Sequence, residues 1–198
     1  MDTQQNRFLD PDMIVSRVGI KAGMQVADLG CGTGHLILSL ARAIAPDGHA
    51  YAVDIDPQMV SSARSYVYHE GYRNATFIVS DLVSDTLTEI PEMTMDLVVL
   101  SNTLHEISAG RETVIEKAKN LLKKDGQLLV VEWQKKDTLF GPPVASRLDQ
   151  SEVVAIMQSH GFDLRDSFDA GGYHYGALFE VATSSEQTAG IADTGPRA

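Results

Sequence analysis

The sequence predicts an α/β fold, a mainly parallel sheet covered by helices on both faces, and three observations carry that prediction. Short apolar strands alternate with helical segments from residue 25 to residue 133, an order that demands parallel strands joined by crossovers. Two of those strands, 95–100 and 127–133, are almost wholly apolar, as strands buried on both faces are. Two late strands are then joined by Asp169-Ala170-Gly171-Gly172, a connection short enough to require an antiparallel pair.

Each element has a local reason. Asp10-Pro11 opens a short helix with an N-cap and a proline at its first position, and Gly19 stops it. The first strand, 25–29, runs into a glycine-rich loop and then a helix (Leu36, Ile37, Leu40, Ala41, Ile44) that ends near Ala45 before the turn Pro46-Asp47-Gly48. Strand two, 50–54, ends in Asp54, and Asp56-Pro57 caps a helix that runs to Gly71. Strand three covers 76–79. Strand four covers 95–100 and is followed by a helix over 111–122, a turn at Lys124-Asp125-Gly126 and strand five. Asp149 and Glu152 have capping-box spacing for a helix ending at His160. The last two strands fall at 162–168 and 174–182.

With 198 residues, 43% of them hydrophobic, the chain is long enough for one domain with a substantial core. That domain is expected over 1–182. Residues 183–198, rich in Ser, Thr, Gly and Ala, read as a flexible tail. The net charge of −11 opposes attraction to nucleic acid or anionic membrane surfaces. No segment has the apolar length of a membrane span and no signal peptide is evident, so a cytoplasmic location is the expectation. Cys31 is the single cysteine and excludes an intramolecular disulfide.

Function is written most plainly at residues 26–34, Val-Ala-Asp-Leu-Gly-Cys-Gly-Thr-Gly. Gly30, Gly32 and Gly34 follow the carboxyl end of strand one, where open α/β sheets bind ligands and where bare backbone admits one closely. A dinucleotide fingerprint needs glycine at position 35, and His35 stands there. Asp28 would repel a pyrophosphate but suits a cationic group. Asp54, Asp81 and the Ser101-Asn102 pair end the next strands, so one sheet edge gathers all four positions.

These segments together resemble the motifs of class I S-adenosylmethionine-dependent methyltransferases, of the small single-domain type near the ubiquinone/menaquinone C-methyltransferases. Residues 26–34 look like the first motif, 51–54 the second, Ser80-Asp81 the third, 95–105 the fourth and 121–133 the later strand motif. The resemblance spans roughly 8–182. It implies a Rossmann-like three-layer sandwich with a seven-stranded, mostly parallel sheet and an antiparallel last strand. It also implies S-adenosyl-L-methionine as cofactor. On that resemblance Asp28 lies near the methionine amine, a charge-assisted contact. Gly30, Cys31, Gly32 and Gly34 form the cofactor loop, and Asp54 receives the ribose hydroxyls. Ile55 and Met59 pack the adenine, Asp81 and Leu82 contact its edge, and Ser80 and Ser101 complete the site.

Methyl transfer needs a base only where the acceptor must lose a proton. The candidates lie beyond strands four and five, His105, Glu106, Glu132 and Trp133, and His105 leads them because its ordinary pKa suits neutral pH. Glu132 ends an apolar strand, so its carboxylate either faces the crevice or pairs with a basic residue such as Arg147. Trp133, Arg147, Tyr173, His174 and Tyr175 are the expected walls of an acceptor pocket, suited to a small, partly apolar molecule with room for an anionic group. No spacing favours a metal site. The expected partner is a small-molecule acceptor, with a homodimer left open. A catalytically silent cofactor-binding subunit is one alternative. A nucleic-acid or protein methyltransferase is another, but residues 101–104, Ser-Asn-Thr-Leu, lack the motif of amino-directed base methylators. Arsenite methyltransferases need several cysteines and this chain has Cys31 alone.

Overall fold

The computed structural model describes residues 9–182. The expected tail at 183–198 lies outside the described residues. Helix α1 (Pro11–Val18) precedes β1 (Gln25–Leu29), α2 (His35–Ile44), β2 (His49–Asp54), α3 (Pro57–His69) and β3 (Ala75–Val79). Next come β4 (Met95–Ser101), α4 (Arg111–Leu121), β5 (Leu122–Trp133), α5 (Gln150–Ser159), β6 (Phe162–Asp169) and β7 (His174–Val181). The sheet order is β3-β2-β1-β4-β5-β7-β6. β7 pairs antiparallel with β5 and with β6, and the pairings among β1 to β5 are parallel. This is the seven-stranded arrangement expected from the sequence.

The cap residues act as the sequence suggested. Asp10 accepts the Met13 N–H and Asp56 the Gln58 N–H, while Asp149 and Glu152 form a reciprocal capping box. Gly19 closes α1 in the left-handed conformation. Apolar side chains alternate between the two faces of the central strands. Ala27, Leu29, Val98 and Leu100 join the core under α4 and α5, and Val26, Leu97 and Val99 join the core under α1, α2 and α3. Burying each larger side chain contributes about 1.5–3 kcal/mol. That two-sided burial is why the strands read as unbroken apolar runs.

One boundary differs from expectation. β5 begins at Leu122, directly after α4, and the turn expected at Lys124-Asp125-Gly126 lies within it as a bulge. Met95 pairs with Leu122 but Leu97 with Gln127, so the extra residues are left out of the ladder. Gly126 makes this possible, because a Cβ there would sit 2.7 Å from the Met95 carbonyl oxygen.

β1 is the topological switch point: β2 and β3 lie to one side of it and β4 to the other. A crevice must open beyond its carboxyl end.

Candidate functional site

A cavity of about 690 Å³ occupies that crevice, within the range of small-ligand sites. Its β2–β3 wall is built from Asp54, Ile55, Asp56, Met59, Asp81, Leu82 and Val83. Gly30 and Gly32 supply the floor. The β4 side is Ser101 to Thr103 and Glu106 to Ala109.

The glycine loop is held from both sides. Gly30 and Cys31 donate their N–H groups to the Val53 carbonyl, at 2.7 and 2.9 Å. Gly32 N–H donates to Asp54 Oδ2 at 2.9 Å, and Asp56 N–H to Asp54 Oδ1 at 3.0 Å. Asp54 is therefore fixed at the cavity wall with acceptor capacity to spare on each oxygen. The three glycines have different duties. A Cβ on Gly30 would meet Thr103 Oγ1 at 2.4 Å, and one on Gly34 would meet Ala63 Cα and Cβ at 2.8 Å. A Cβ on Gly32 would enter open space. Gly32 alone keeps the loop bare towards the cavity.

Asp28 lies behind this loop with 1% exposure, and its Oδ1 is buried without a hydrogen-bond partner. Burial, reinforced by the charge of Asp54, pushes its pKa up to about 7. A buried carboxyl oxygen with no donor is costly, and a cation beside it would relieve that cost. Ile55 and Met59 expose 64% and 37% of their surface on the adjoining wall, an apolar face for a flat ring. Asp81 accepts from Val83 N–H at 2.8 Å and Ser84 Oγ at 2.7 Å, and these bonds hold its carboxyl below the ordinary pKa. These features fit a cationic nucleoside such as the cofactor implied by the sequence motifs.

Several expected site residues are placed elsewhere. The Cys31 thiol is buried in the core, 3.7 Å from the Gly32 carbonyl. Gly34 serves the contact between α2 and α3. Ser80 Oγ donates to Asp85 at 3.3 Å and does not reach the cavity lining. Neither His105 nor Glu132 lines the cavity. Glu132 is fully buried and accepts Leu104 N–H at 2.9 Å, His105 N–H at 3.2 Å and His105 Nδ1 at 2.7 Å. It pairs with His105 rather than with Arg147. The His105 side chain is 6% exposed. Burial pulls its pKa down, but the Glu132 hydrogen bond and the charges of Glu132 and Glu106 outweigh it and raise the value.

The expected acceptor walls are also largely structural. Arg147 is 2% exposed. Its guanidinium donates to the carbonyls of Gln134, Lys136, Phe140 and Pro142 and to Thr138 Oγ1, and it stacks on Trp133 at 5.0 Å. Trp133 is sealed by Gly141 and by His174, whose ring centroid is 4.4 Å away. His174 Nε2 contacts Asn102 Nδ2 at 3.2 Å, and Tyr175 donates to the Leu148 carbonyl at 3.0 Å. Tyr173 packs edge-on against Phe140 and lines a separate hollow of about 320 Å³ with Asp137, Thr138 and Leu139. Asp56, Val83, Thr103, Ile107, Ser108 and Ala109 line the main cavity without having been marked in the sequence. The signal available was the polar, irregular stretch between β4 and α4. Among the described residues no group of three or more His, Cys, Asp or Glu could hold a metal, and no helix is long and apolar enough to cross a membrane.

Residues 20–172 match the profile of a family described as "Methyltransferase domain". The chain belongs to that family. It is similar to a ubiquinone/menaquinone biosynthesis C-methyltransferase UbiE from Hydrogenovibrio crunogenus, with 32% identity over 118 residues, 59% of this chain and 45% of that protein. It is 27% identical over 157 residues to an arsenite methyltransferase from Aquipseudomonas alcaligenes, covering 71% of this chain and 44% of that protein. The chain thus spans less than half the length of these curated relatives. A crystal structure of a SAM-dependent methyltransferase from Aquifex aeolicus superposes with a TM-score of 0.80 at 26% identity, covering 91% of this chain and 94% of that one.

Proposed function

We propose that this methyltransferase-family protein is an S-adenosylmethionine-dependent enzyme that methylates a small-molecule acceptor. The observation that carries the reading is the negative charge gathered around the glycine loop: Asp28 buried behind it, with Oδ1 lacking a donor, and Asp54 at the cavity wall. A pyrophosphate would worsen that position, and an ammonium or sulfonium group would relieve it. The family match and the relatives named for small acceptors support the same reading. The arsenite chemistry of one relative finds no support here, because Cys31 is the chain's one cysteine and lies in the core.

Asp28 would balance the cationic methionine end, and Asp54 would receive two vicinal hydroxyls. Ile55, Met59 and Leu82 would sandwich the base, with Asp81 at its edge. When bound, S-adenosylmethionine supplies a methyl group already activated on sulfonium, so the hard chemistry is the cofactor's. The chain's task is placement and exclusion of water. Asn102, Thr103 and Glu106 to Ala109 form the facing wall, where an acceptor would lie. Thr103 Oγ1 pins this wall to β1 by donating to the Leu29 carbonyl at 2.9 Å, and the Glu132–His105 pair fixes its middle from below.

Calorimetric titration tests the assignment. The protein should bind S-adenosylmethionine at one site, and Asp54→Ala should weaken that binding at least tenfold while leaving the fold intact. Equal affinity in the two proteins would remove the site assignment.

A further inference from the structure

The charge of the main cavity is one-sided. Asp54, Asp56, Asp81 and Glu106 line it, and among the described residues no Lys, Arg or His does. The nearby cations are engaged with main-chain carbonyls: Lys117 Nζ with Leu82, Val83 and Asp85, Arg111 Nε with Leu104, and Arg147 with its own loop. An anionic acceptor would therefore meet several carboxylates and, among the described lining residues, no cationic side chain.

The four carboxylates are not equivalent. Asp54 and Asp81 are each held by two donors, and Asp56 caps α3 through Gln58 N–H at 2.7 Å. These three lie on the β2–β3 side of β1. Glu106 stands on the opposite wall, beyond β4. Among the described residues its carboxylate makes no hydrogen bond. It is 76% exposed, with His105 Nε2 the nearest charge at 4.0 Å. Asn102, on the same wall, has Oδ1 buried without a partner. So among the described residues the one charge on the acceptor side is the Glu106 carboxylate, beside the hydroxyls of Ser101 and Ser108. Ile107 adds apolar surface on that wall, and Val83 supplies more from the β2–β3 side of the cavity.

We propose that the acceptor is a small amine, cationic at neutral pH, and that Glu106 is the carboxylate that selects it. This rests on the reading that the β2–β3 half of the cavity takes the cofactor. The ammonium N–H groups meet Glu106 while the apolar remainder lies against Ile107 and Val83. Carboxylate- and phosphate-bearing analogues of the same shape are turned away by Asp54, Asp81 and Glu106 together.

The test is binding to the protein loaded with S-adenosylhomocysteine, which fills the cofactor half without turnover. Matched pairs of opposite charge are titrated by calorimetry or ligand-observed NMR: tyramine against 3-(4-hydroxyphenyl)propionate, and putrescine against succinate. The amine of a pair should bind at least tenfold more tightly than its carboxylate partner. Glu106→Gln, at an exposed side chain that leaves the fold alone, should cut that preference to threefold or less with S-adenosylhomocysteine affinity unchanged. Equal or tighter binding of the carboxylates, no preference in either pair, or a preference that survives Glu106→Gln overturns the proposal. Should S-adenosylhomocysteine itself fail to bind, the cofactor reading falls and takes this inference with it. Cofactor binding without amine preference sinks the inference alone.

Discussion

Glu132 Oε2 stands 2.7 Å from His105 Nδ1, while Oε1 of the same carboxylate accepts the backbone N–H groups of Leu104 and His105. One buried acid thus fixes both the ring and the main chain of the wall facing the cofactor half. Glu132→Gln should lower the His105 pKa, read from its imidazole resonances. In the native protein that pKa is raised above its ordinary value. The pair's stabilisation is then fully present below about pH 6.5 and is lost as pH rises through the folded-state value. Glu132→Ala leaves two buried N–H groups without an acceptor and should cost about 3 kcal/mol in denaturant unfolding. A loss confined to turnover, with stability untouched, would restore Glu132 as a catalytic residue.

Asp28 should trade stability for binding. Its folded-state pKa, about 7, lies far above the ordinary value, so between roughly pH 4 and 7 the folded state holds more protons than the unfolded one. Stability therefore falls as pH rises across that window, by several kcal/mol in all. Asp28→Asn removes the titration. Its stability advantage over wild type should grow by about 2–3 kcal/mol from pH 5 to pH 8, measured by denaturant midpoints. The same variant should bind S-adenosylmethionine at least tenfold more weakly. In the wild type, affinity should fall as pH drops below 7, since protonated Asp28 no longer meets a cation.

The glycines separate packing from ligand access. Gly34 has φ +92° and its Cβ would fall 2.8 Å from Ala63 Cα, where backbone must shift. Gly34→Ala should destabilise by about 3 kcal/mol or more, combining left-handed strain with overpacking. Gly32 has φ +51° and open space, so Gly32→Ala should cost about 1 kcal/mol of stability and act mainly on cofactor affinity. Thermal unfolding and titration on both variants distinguish the two roles.

What the sequence disclosed and what it withheld divide along physical lines. The places of Asp54 and Asp81 at the cavity wall were legible because a parallel sheet gathers strand ends at one edge whatever the side chains do, whereas Asp28 lies behind the glycine loop and outside the lining. Gly34 was not legible, since spacing alone does not say whether a glycine faces a ligand or a neighbouring helix. Arg147 looked like an anion receptor because a charge in sequence carries no direction. Only the folded loop shows its guanidinium turned inward onto carbonyls. Glu132 and His105 were rightly linked to the ends of β5 and β4, yet their pairing places them beneath the cavity wall. The start of β5 was hidden because Lys124-Asp125-Gly126 has turn chemistry and the bulge absorbs it without a turn.

Arg147 then yields the most direct test of that inward role. Five acceptors from Gln134 to Pro142 converge on one planar guanidinium, a geometry that a lysine cannot reproduce. Arg147→Ala leaves those carbonyls to find water and removes the stack on Trp133, so a stability loss of about 3 kcal/mol is expected. Arg147→Lys should recover little of it. The loop carries Leu139 and Phe140 on its surface, and chymotrypsin should cut there at least tenfold faster in the alanine variant. S-adenosylmethionine affinity should stay within twofold of wild type, because none of the loop's residues lines the cofactor cavity. If the alanine variant instead keeps its stability and protease resistance while acceptor binding disappears, Arg147 holds the acceptor and the inward role is lost.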